Sequence, residues 1–181
     1  MNVEQYKMVK AFAGEYGILT GLAWCITFLV IVSGMTTMNA LLMMMGMAMM
    51  CALIAVPMYF AARLRSHLDA DEQLSTGASW IFALMMLFNA NLVTAVVEFC
   101  YFNFIDKGRL VETFRVTMSS PEAAATYRQM GMGDTLQTLQ QTVDVLASLT
   151  PLDMAVNLFF NNILTVLILA IPVAYIARRK K

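Results

Sequence analysis

The chain is short of the residues on which enzyme chemistry most often draws. It has one histidine, His67, and three cysteines, Cys25, Cys51 and Cys100, in 181 positions. No two cysteines stand in CxxC spacing, which excludes zinc-ribbon and thioredoxin-like readings. Each lies in or beside an apolar run, where a thiol behaves as a small apolar residue. Charge is scarce too, at 13% of residues against about a quarter in soluble domains. The twelve basic and twelve acidic residues cancel. No global basic surface is left for nucleic acid, and no nucleic-acid partner is expected. His67 falls in the short polar stretch RLRSHLDADEQLSTG (63–77) and reads as a surface residue.

What the chain has instead is apolar length. Hydrophobic residues make up 60% of it, which points to a membrane protein. Crossing the hydrocarbon core takes about 20 mostly apolar residues, and four runs qualify: 16–35, 39–62, 78–105 and 152–177. They are apolar all round, unlike one-sided surface helices. The expected fold is an all-α membrane protein, one integral domain over 1–181 with four transmembrane helices. Glu4 and Glu15 dilute the basic leader Lys7 and Lys10, and no small-x-small site follows, so the first run is expected to be retained. Lys7, Lys10, Arg63, Arg65 and Arg178 to Lys181 all fall on one side of a four-span chain. By the positive-inside rule both termini are then cytoplasmic, and 106–150 is extracytoplasmic. The expected setting is a bacterial cytoplasmic membrane, with the lipid bilayer as the first partner.

The 106–150 segment predicts short amphipathic helices. DKGRLVETFRVTM opens with a turn. Ser120 before Pro121 and Glu122 is a helix start. After GMGD, Asp134 is a candidate N-cap for a helix in which Leu136, Leu139, Val143 and Leu146 recur at three and four. Thr150, Pro151 and Asp153 read as a capping box opening the fourth span, and Ser75 or Thr76 caps the third.

Six methionines lie between Met43 and Met50. Thioethers suit copper(I), but Met43, Met44 and Met45 are consecutive and cannot all point at one ion. The reading is adaptable apolar surface, with no metal and no cofactor. Gly17 and Gly21 form a small-xxx-small pair that lets helices approach, and Gly46 gives the second span one such point. Pro57 and Pro172 are candidate kinks.

Polar residues at membrane depth are costly unless paired or wet. Asn91 and Glu98, seven apart, share a face of the third span. Asp153, Asn157, Asn161 and Thr165 recur every four along the fourth. Depth matching predicts that Glu98 bonds Asn157 or Asn161, giving an intramembrane cluster of Glu98, Asn91, Asn157 and Asn161. One carboxylate without a histidine or a second buried acid is too little for acid–base catalysis, so no catalytic residue is assigned.

The order of AGEYGILTGLAW, YFAARLR, LSTGASWIF, YFNFIDKGRL and IPVAYIARRKK resembles the family catalogued as domain of unknown function 4199, small bacterial membrane proteins. Members often carry a proline soon after the third span, where this chain has Asp106 and Lys107. The resemblance implies four spans and transfers no activity or site residue. It points to polyprenyl-phosphate glycosyltransferases as a partner class. The expected function is a non-enzymatic accessory or scaffold subunit of a membrane complex. The alternative is a small oligomeric transporter or conduit lined by Glu98 and the span-four asparagines.

Overall fold

A computed structural model describes residues 3–68 and 74–178. Among them there is no strand. The helices are α1 (Val3–Thr36), α2 (Ala40–Leu53), α3 (Ala55–Ser66), α4 (Thr76–Cys100), α5 (Arg109–Met118), α6 (Pro121–Gln129), α7 (Gly133–Ser148) and α8 (Pro151–Arg178). A π-helical turn, Tyr101–Asp106, prolongs α4. Taking α2 with α3 and α4 with its π turn, four helices are long and apolar enough to cross a membrane. The chain is an all-α membrane protein.

Glycine sets the central contact. A Cβ on Gly17 would lie 2.7 Å from the Met86 carbonyl oxygen, and one on Gly21 would lie 2.9 Å from that of Ala90. The offset between the partners is the same in both cases, so α1 and α4 run parallel with backbones nearly touching. Asn89 Nδ2 adds a 3.4 Å bond to the Ala13 carbonyl. α2 folds back on α1 as an antiparallel neighbour, Gly46 against Ile31 and Gly34 against Met43. α8 lies antiparallel on α4, with Phe88 and Phe159 rings 6.0 Å apart edge to face.

The main core joins α1, α3, α4 and α8 through Val9, Ala13, Tyr16, Leu64, Phe82, Met86 and Val173. It explains why α1 starts at Val3 rather than near residue 16. Its first turns are too polar to count as apolar span, but Val9 and Ala13 are fully buried against neighbours. Lys7, Lys10, Arg63, Arg65 and Arg178 gather at that end of the bundle, and α5–α7 cap the other. Arg179, Lys180 and Lys181 lie outside the described residues.

Pro57 does break the second span. It has no N–H for the Leu53 carbonyl four residues back, and the helix is interrupted at Ile54. Pro172 sits inside an unbroken α8. Ser75 Oγ accepts from Ala78 N at 3.2 Å and starts α4. Thr150 and Asp153 form the reciprocal box of α8: Asp153 N donates to Thr150 Oγ1 (3.2 Å) and Thr150 N to Asp153 Oδ2 (3.1 Å). Asp134 does not cap α7; it lies inside the first turn, and Met132 holds the cap position with no side-chain bond. The helix begins one residue earlier than the aspartate because Gly133 is itself helical.

Candidate functional site

Two polar regions meet where the third span ends. The first is buried. On α4, Asn91, Thr94 and Glu98 are all nearly inaccessible. Asn91 Nδ2 donates to the Phe159 carbonyl of α8 at 3.1 Å. Thr94 Oγ1 donates to the Ala90 carbonyl at 3.0 Å, and Cys25 of α1 points its thiol at the Val93 carbonyl, 4.0 Å away. Two acceptors are left over: Asn91 Oδ1 and Glu98 Oε2 have no hydrogen-bond partner among the described residues. Seven helical residues separate these side chains, roughly 10 Å along the axis, so they cannot grip one small ion together.

The expected bond from Glu98 to Asn157 or Asn161 is not formed. Asn157 Nδ2 donates instead to the Asp153 carbonyl of its own helix at 2.8 Å. Both asparagines are exposed. Matched depth is not enough, because the rotation of α8 turns them away. α8 buries Ala155, Val166, Ala170, Val173, Ala174 and Ala177. At 100° per residue Asn157 falls roughly half a turn from that face. The asparagine nearest it is Asn162, which is half-buried. The inter-helix bond that sequence reasoning assigned to Glu98 is made by Asn91.

The second region is a cleft of about 480 Å³ between the π turn, α5, the end of α7 and the start of α8. Phe102 and Met154 form part of its apolar wall, with Asp106, Lys107, Glu112 and Arg115 around it. The same Phe102 and Met154 pack with Phe28, Val32, Tyr101 and Leu158. That aromatic cluster lies one helical turn beyond Glu98 on the same face of α4. Arg115 is held by Asp144 at 3.0 Å and Glu112 at 3.7 Å.

Asp106 organises this region, and sequence reasoning gave it no such role. It is 2% exposed. Its Oδ2 accepts from Gly108 N and its Oδ1 from Leu110 N, both at 3.0 Å. It thereby closes the turn and starts α5. Lys107 (φ 49°) and Gly108 (φ 85°) are left-handed, the conformation that reverses the chain there. The signal was present: aspartate two residues before glycine is an Asx-turn signature.

The methionines of α2 converge on nothing. Met43 packs against Gly34, while Met44, Met47 and Met50 are more than half exposed. His67 is exposed, its Nδ1 2.8 Å from the Arg63 carbonyl.

The family model for protein of unknown function DUF4199 matches residues 15–179. The chain belongs to that family. No curated protein matches it, and no solved structure does.

Proposed function

We propose that this DUF4199 chain is a non-enzymatic accessory or scaffold subunit that docks laterally on another membrane protein. The observation that carries the reading is the state of α2. Of its 14 residues only Gly46 is buried, and the outward surface is largely methionine. Thioether side chains are flexible and adapt to differing contours, as promiscuous binding surfaces require. The arginine-bearing end faces the cytoplasm of a bacterial inner membrane on the positive-inside rule, and α5–α7 present a second contact surface on the far side. A polyprenyl-phosphate glycosyltransferase is the first partner class to try.

Mild solubilisation and affinity capture of the full chain should recover one membrane protein in fixed stoichiometry. Met47→Trp, placed on the exposed face, should reduce that recovery without altering the melting temperature of the isolated chain. Capture of the chain alone, after crosslinking in intact membranes, counts against the proposal.

A small oligomeric conduit is the second reading. It is favoured by the unsatisfied Glu98 and Asn91 oxygens inside the bundle. Asn157 and Asn161 face away from that interior, so their part in a path would require neighbouring copies.

A further inference from the structure

We infer that α8 is a self-association interface, in which the row Asn157, Asn161 and Thr165 pairs with the same row of a second copy. The inference stands on α8 alone and is independent of the accessory reading. α8 has 28 residues, or roughly 42 Å at 1.5 Å per residue, against about 30 Å of hydrocarbon. Asn161, ten residues in, therefore lies roughly 9 Å inside the apolar layer. All three side chains are exposed there.

The other intramembrane amides and threonines behave differently, except Asn162, which is half-buried and likewise has no side-chain bond among the described residues. Asn89 and Asn91 reach carbonyls of neighbouring helices. Thr20, Thr27 and Thr94 donate to the carbonyl four residues back. Asn157 back-bonds with its nitrogen and keeps a free oxygen. Asn161 and Thr165 have no side-chain partner among the described residues. Polar groups facing lipid at this depth are costly, and they are met by hydrogen bonds across helices.

A second copy fits better than a different protein. An amide is both donor and acceptor, so asparagine complements itself. Two copies inserted with one topology place Asn161 at the same depth automatically, and a two-fold axis along the membrane normal sets like against like. A row spaced every four residues is also the ridge used in right-handed parallel crossings.

The test uses the full chain in phospholipid liposomes, without any partner. Subunit counting by single-molecule photobleaching should show dimers for the native chain. Asn157→Leu, Asn161→Leu and Thr165→Val combined should weaken dimerisation about 20-fold, equivalent to about 1.8 kcal/mol. With the exposed Cys51 and Cys100 replaced by alanine, Asn161→Cys should crosslink to itself. Ile163→Cys, which lines the α4 side of the helix, should not. The crosslink needs no disruptive variant, so misfolding of the triple mutant cannot hide the answer. A native chain that stays monomeric at every density overturns the inference, as does a dimer indifferent to the three substitutions or one crosslinking through Ile163. Capture of a different protein by such a monomer would leave the accessory reading standing while this one falls.

Discussion

Adding one methyl group at three glycines of α1 tests the central contact directly. In a helix, Gly→Ala removes conformational freedom and should stabilise by up to about 1 kcal/mol when the site has room. Gly14 has room, since an added methyl would meet nothing within 4 Å. Gly21 has none: the added carbon would sit 2.8 Å from Val93 Cβ and 2.9 Å from the Ala90 oxygen. Ordinary carbon contacts need about 3.5–4.0 Å. Neither atom can turn away, since a Cβ is fixed by its own backbone as firmly as a helical carbonyl is. The α1–α4 pair must therefore open by roughly half an ångström to one, and overpacking of this kind costs about 1–3 kcal/mol. The clash outweighs the propensity gain. Gly21→Ala and Gly17→Ala should each lose on the order of 1 kcal/mol, while Gly14→Ala should be neutral or gain a few tenths. The double variant should lose less than the two singles together, because one separation relieves both clashes. Reversible unfolding by SDS titration in mixed micelles reads all four. Gly21→Ala matching Gly14→Ala in stability would falsify the close parallel packing.

Other outcomes follow from the same geometry. Asp106→Ala should destabilise the α5 start by about 1–3 kcal/mol, since two backbone donors lose their acceptor; limited proteolysis should then cut first within 106–120. Thr150→Ala should cost about 1 kcal/mol by removing the α8 cap, read as a drop in melting temperature in detergent. Glu98→Gln and Asn161→Leu should act additively within about 0.5 kcal/mol in a double-mutant cycle, because the two side chains do not touch; strong coupling would restore the discarded bond. Arg115→Ala should change stability by no more than about 1 kcal/mol, as its ion pairs are solvent-exposed.

The spans were legible because hydropathy integrates over about 20 residues and tolerates local error. Cap residues were legible where a hydroxyl stands just before the helix: Ser75, Ser120 and Thr150 each accept from the backbone N–H three residues on. Rotation was the illegible quantity. A spacing of four says that Asn157, Asn161 and Thr165 share a stripe, but only the burial of Ala155, Val166 and Ala170 against the neighbouring elements decides which way it faces. The extent of α1 was hidden for a related reason. Val9 and Ala13 are buried by a tertiary contact that no single-helix average contains. The π turn left no periodic trace, yet it aims Tyr101 and Phe102 inward while Asn103, Phe104 and Ile105 stay exposed.

The parallel pairing of α1 with α4 has a consequence for synthesis. Gly21 must wait for Ala90, and at ribosomal rates of about 5–20 residues per second that delay is roughly 3–14 s. Once the second span is complete at Ser66, the last roughly 1–5 s of that delay leaves α1 and α2 as a hairpin with the glycine groove of α1 unfilled by its α4 partner. Third-span arrival fills that groove. Slowing or mutating the stretch between residues 66 and 90 should therefore lengthen the life of a two-helix intermediate that quality-control proteases can reach.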